Sequence, residues 1–137
     1  MIFRGRKKHK LPQFPGHIVP TFNALCEALP AELVDSMQAE IDDYVEQIRI
    51  HSLEDEHVNL ELCEAIAERC SYLLAHYSEL TDQDKALAVG AMRYFIYDED
   101  GMGDKTFGAG FDDDAKVLNH VLEELGFEDK FIDPHRF

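Results

Sequence analysis

Between residues 31 and 50 the apolar side chains Val34, Met37, Ile41, Tyr44, Val45 and Ile48 recur every three or four positions. Glu32, Asp35, Glu40, Asp42, Asp43 and Glu46 fill the positions between them. One apolar stripe at the helical period predicts an amphipathic helix that buries one side and wets the other. A shorter helix is expected before it, over 21–29, with Phe22, Leu25 and Cys26 on one side and Pro30 ending the pattern. After it, His51, Ser52 and Leu53 interrupt the period. Ser52, with Asp55 three residues on, reads as the N-cap of a long third helix. The stripe of that helix is Leu62, Ile66, Cys70, Leu73 and Tyr77, and it runs to about Ser78.

Thr81 and Asp84 have the spacing of a capping box with Asp in place of Glu, so a fourth helix is expected from Asp82 to about Tyr97. It is apolar around much of its surface, which predicts a central position with neighbours on several sides. Gly90 inside it costs about 1 kcal/mol relative to Ala, which points to close approach of another helix. A Gly- and Asp-rich loop over 98–111 follows. The last helix is expected to start at Asp112, Asp113 and Asp114, whose carboxylates suit the positive end of a helix dipole, and to stop at Gly126. Every strong period is helical, so the predicted fold is all-α. It is a single-domain bundle of about five helices with an ordered acidic Gly/Asp loop before the last one. Residues 1–18, with Pro12 and Pro15, read as a basic arm, 19–127 as the bundle and 128–137 as a C-terminal tail.

Composition sharpens this picture. The 137 residues carry 13 Lys and Arg against 28 Asp and Glu, a formal charge of −15. Arg4, Arg6, Lys7, Lys8 and Lys10 lie in the first ten residues without an acid, so positions 11–137 carry a charge of −20. Such a body repels polyanions, and direct duplex binding by it is excluded. No apolar run reaches the roughly 18–20 residues of a membrane span, and the N-terminus lacks a signal-peptide pattern, so a cytoplasmic location is expected. Cys26, Cys63 and Cys70 have no framework spacing and read as reduced thiols.

The stretch from Tyr94 to Val117 resembles the signature of the YkvA-like bacterial proteins, a domain of unknown function. Tyr94-Phe95-Ile96 is followed by Asp100 and Asp104 four apart, then Gly110, then Asp113-Asp114-Ala115 and Val117. The match departs at Gly103 and Phe107, where the family carries prolines. The resemblance implies a helical hairpin closed by an ordered loop, with no activity assigned.

Candidate chemistry concentrates in the same stretch. Asp98, Glu99, Asp100, Asp104, Asp112, Asp113 and Asp114 face a single Lys105, with glycines that let the chain bend. Hard cations such as Ca²⁺ or Mg²⁺ want several oxygen ligands on such a chain. An EF-hand register fails, because Met102 and Ala109 occupy ligand places. A looser site would use Asp100, Asp104, Asp113 and Asp114. The competing reading makes these carboxylates helix caps and turn formers, with no cofactor at all. Glu54-x-x-His57 has the spacing of half a bundle di-iron site, which a homodimer would have to complete. Cys63 and Cys70, two turns apart, share a helix face and read as small core residues, and His120 as a boundary histidine. Tyr94, Phe95 and Tyr97 read as core. No catalytic constellation assembles, so the first expectation is a non-enzymatic module that binds a protein partner. The alternative is a divalent-metal-binding protein or metal-dependent hydrolase using 98–114. A third reading takes the eleven acids of 31–64, against Arg49 alone, as a surface for a basic partner.

Overall fold

Each apolar period in the chain folds as a helix. The computed structural model describes residues 19–55, 58–96 and 107–133. Within them lie α1 (Val19–Leu25), α2 (Val34–Ser52), α3 (Leu60–Ala75), α4 (Asp82–Ile96) and α5 (Phe107–Leu125). Short 3-10 turns precede α2 (Ala31–Leu33), follow α3 (Tyr77–Glu79) and follow α5 (Glu128–Lys130). There is no strand among the described residues, and the protein is an all-α single-domain bundle. None of these helices is long and apolar enough to cross a membrane.

The stripes are buried as the period demands. Met37, Ile41, Val45 and Ile48 of α2 meet Leu62, Ile66, Cys70 and Leu73 of α3, with Tyr77 completing the row. Helix α4 packs against α1, α2, α3 and α5, which is the central position expected of it. A Cβ built on Gly90 would stand 2.5 Å from Cys26 Sγ and 2.9 Å from Phe22 Cε1, so α1 crosses α4 where glycine leaves room. The Thr81 hydroxyl accepts from the Asp84 N–H at 3.1 Å, capping α4 as its spacing predicts.

Several boundaries differ from the sequence reading. Helix α1 spans Val19–Leu25 instead of 21–29. Pro20 costs little in a first turn, whose N–H groups lack helical partners anyway. At the other end Arg93 of α4 donates to the Leu25 carbonyl at 3.1 Å, satisfying a terminal group that another turn of helix would otherwise occupy.

Ser52 is the last residue of α2, and its hydroxyl donates back to the Arg49 carbonyl at 2.6 Å. The cap of α3 is Asn59, whose Oδ1 accepts from the Leu62 N–H at 3.1 Å. Both are short polar side chains, and the Val58 side chain, buried just before Asn59, selects the later start.

Helix α5 begins at Phe107, five residues before the expected Asp112. Phe111, Ala115, Leu118 and Leu122 form one buried row, and Phe111 reaches Phe95 with 6.3 Å between ring centroids. Burying Phe111 carries the helix back through its glycines. Asp112, Asp113 and Asp114 therefore lie in the second turn, past the four N–H groups that a cap would satisfy.

The end of the bundle is packed as well. Gly126 takes the left-handed conformation (φ +85°) that closes α5, and the Phe127 N–H returns to the Leu122 carbonyl at 2.8 Å. Beyond it Ile132 is buried, so the segment drawn as a tail from 128 packs on the helices through Ile132.

Candidate functional site

The four carboxylates singled out as cation ligands divide between described and undescribed parts of the chain. Asp100 and Asp104 lie outside the described residues. Asp113 is half-buried and Asp114 is only 6% exposed, both on α5. Neighbours on a helix diverge by about 100°, so these two project in different directions. Gly110 lies within α5, while Ala115 and Val117 are fully buried in its packing.

Asp114 is near Cys63 and Cys70 of α3. Burial first, and then the Asp114 charge, pushes the Cys63 thiol up to about 12 and raises Cys70 in the same sense. Both thiols stay protonated at neutral pH and behave as small apolar groups. Cys26 is half-buried beside Gly90, and its thiol donates to the Phe22 carbonyl at 3.3 Å. His76 Nδ1 is 3.0 Å from the Tyr72 carbonyl, and the His120 ring meets Phe22 edge to face. Glu54 is exposed in the turn after α2, off any helix, so it cannot share a helix face with position 57. His57 itself lies outside the described residues. Among the described residues no three His, Cys, Asp or Glu side chains converge to hold a metal ion.

The acids of 31–64 do build a concave surface. A shallow groove of about 470 Å³ runs between α2 and α3, floored by Val45 and Ala67 and edged by Asp42, Glu46, Glu64 and Glu68. Arg49 spans it, with one guanidinium nitrogen 2.6 Å from Glu46 and the other 3.0 Å from Glu64. At the upper end Gln38 donates to Asp42 at 3.0 Å and to Ser71 at 3.1 Å. Where α2 ends, Ile50 is exposed and Leu53 is 81% exposed, beyond the reach of the core. The acids are visible in the sequence as a wetted helix face. Their arrangement as groove walls depends on α2 and α3 pairing, which no single helix period encodes.

Two other polar devices escape a reading by period. The Tyr77 hydroxyl donates to the Leu29 carbonyl and accepts from the Leu29 N–H, both at 2.8 Å, fixing the chain between α1 and α2. Asn119, 4% exposed on α5, does the same for Ile132. Its only sequence signal is an amide standing among Val117, Leu118, Val121 and Leu122 on a buried helix. No family model matches the chain, and comparison with curated proteins and with solved structures gave no match.

Proposed function

We propose that the chain is a non-enzymatic helical interaction module of the YkvA-like type, working in the bacterial cytoplasm and binding a basic protein segment. The observation that supports this is the acid-edged groove between α2 and α3. Its Arg49 is held only by ion pairs whose side chains are about half exposed. Exposed pairs of that kind contribute little to stability, so an incoming cation can displace Arg49 at small cost. The arm of a second copy, with its five basic residues in positions 1–10, has the right charge for such a partner, and this makes a homodimer one form of the same reading.

The test is fluorescence anisotropy of a labelled peptide of residues 1–12 titrated with the full chain, at low and high salt. Binding should weaken steeply with salt and fall several-fold in the Glu64→Gln, Glu68→Gln double variant. Absence of binding, or binding indifferent to both changes, overturns the reading.

A second reading places a divalent cation, Ca²⁺ or Mg²⁺, in the acidic stretch 98–114, with hydrolysis as its extension. It is supported by Asp114, a carboxylate placed almost out of solvent on the helix that leads from that stretch. Calorimetric titration of chelator-treated protein with each cation tests it. Stoichiometric binding lost in both Asp104→Asn and Asp113→Asn favours the metal, and no heat of binding refutes it.

A further inference from the structure

The two rows of α2 that line the acidic groove each run on, one turn further, to an apolar side chain. Asp42 and Glu46 are followed at the same spacing by Ile50, and Val45 and Arg49 by Leu53. Leu53 keeps helical backbone angles as the C-cap of α2, so it stays on its row. Ile50 is 54% and Leu53 81% exposed, and on α3 the half-buried Leu60 stands one turn before Glu64. A single exposed leucine is ordinary. Of the three large apolar side chains exposed among the described residues, however, two stand at this end of the groove.

The surface therefore has two parts, the carboxylates of Asp42, Glu46, Glu64 and Glu68 and then an apolar end. Arg49 takes one oxygen each of Glu46 and Glu64, Gln38 one of Asp42, and Arg69 one of Glu68. A carboxylate has about four lone-pair sites, so these contacts leave capacity for further donors. A segment that fits both parts has apolar residues at one end and a run of bases after them. The chain's own first residues, Met1-Ile2-Phe3-Arg4-Gly5-Arg6-Lys7-Lys8, have that order.

The lengths agree as well. From Asp42 to Leu53 a helix rises about 16 Å, and extended chain from Phe3 to Lys8 spans about the same. Between Lys8 and the start of α1 at Val19 the chain can reach up to about 36 Å, against a radius of gyration of about 14 Å for a domain of this size. The arm can therefore reach the groove of its own chain. So short a tether holds it there at an effective concentration of about millimolar, which a second copy matches only at millimolar protein.

We propose that residues 1–8 dock in the groove of their own chain, with Ile2 and Phe3 on Ile50 and Leu53 and the bases of 4–8 along Asp42, Glu46, Glu64 and Glu68. Docking of this kind rests on the groove accepting a basic segment, as inferred above, and adds its regulation. A partner's basic segment, or the arm of a second copy, binds by displacing the resident arm, which sets the affinity that a competitor must exceed.

The test titrates the labelled peptide of residues 1–12 with full-length chains that differ in apolar residues only, so that every charge is kept. The Ile2→Ser, Phe3→Ser chain should bind the peptide about tenfold more tightly than the unaltered chain, because its own arm has lost its anchor. Adding Leu53→Ser, at an exposed position, should reverse that gain several-fold. Equal binding by the unaltered and arm-altered chains, or indifference to Leu53→Ser, overturns the proposal and leaves the groove reading standing. That reading is judged separately, by salt and by the Glu64→Gln, Glu68→Gln variant, and a peptide bound by none of these chains overturns both.

Discussion

Helices α2 and α5 are each 19 residues long, yet they occupy opposite roles in the bundle. Only Met37, Ile41, Val45 and Ile48 of α2 are buried, and the rest of that helix is wet or at the boundary. On α5 Phe111, Ala115, Val117, Leu118, Val121, Leu122 and Leu125 are buried together with Asp114 and Asn119. A helix with one stripe has a free side that can face a partner. A helix enclosed on several sides has no such freedom, and each polar group on it needs an internal use, as Asn119 has with Ile132. The difference separates a wetted side, on α2, from an enclosed one, on α5.

The sharpest way to break this comparison is to cut a side chain from the enclosed side. Leu118→Ala should cost about 2–5 kcal/mol, read as a lowered denaturant midpoint at unchanged slope, because it empties fully buried space. A loss as small as that of a surface change would mean that α5 is not enclosed. Gly90→Ala comes next. The new methyl would overlap Cys26 and Phe22, an overpacking cost of about 1–3 kcal/mol, while helix propensity returns about 1 kcal/mol. A net loss is expected, and Cys26→Ala in the same chain should recover part of it.

The buried thiols give a pH-dependent effect. The unfolded Cys63 thiol ionises near its ordinary 9.0, whereas in the fold it is pushed up to about 12. Between those values the native state holds more protons. The stability it contributes is complete below pH 9 and fades as pH rises toward 12, at about 1.4 kcal/mol per pH unit. Denaturation midpoints of the unaltered chain should therefore fall more steeply above pH 9 than those of Cys63→Ala, and parallel curves would count against the burial of that thiol. The smallest effect belongs to the wet side. Glu40→Gln, at an exposed position of α2, should shift stability by less than about 0.5 kcal/mol. A larger shift would mean that α2 has a partner within the fold on its outer side.

Much of this architecture could be read before the fold. The stripe of α2, the row from Leu62 to Tyr77, the Thr81 cap and the close approach at Gly90 all follow from spacing, because each is a property of one helix and what one side of it must meet. Boundaries were less legible where two elements compete for the same groups. Ser52 and Asn59 are both plausible caps, and the burial of Val58 selects Asn59. The run Asp112, Asp113 and Asp114 has the composition of a helix start, but the Phe111 side chain buried against Phe95 carries α5 further back. Of the candidate site, the acidity of 31–64 was visible, while the groove it edges was not.

By itself, the order of residues determined that the chain is all-helical, where its apolar stripes lie, that its thiols are unpaired and that its body carries a charge of −20. These are local or additive properties, set by period, capping chemistry and composition. Only the tertiary structure decided that Arg49 spans Glu46 and Glu64, that Tyr77 holds Leu29, that Arg93 caps α1 and that Asn119 holds Ile132. The Tyr77, Arg93 and Asn119 contacts satisfy backbone groups outside the helical ladders, and these three, with the Arg49–Glu64 pair, join residues brought together by the packing of elements. A polar side chain alone in the sequence does not say which distant carbonyl or carboxylate will need it.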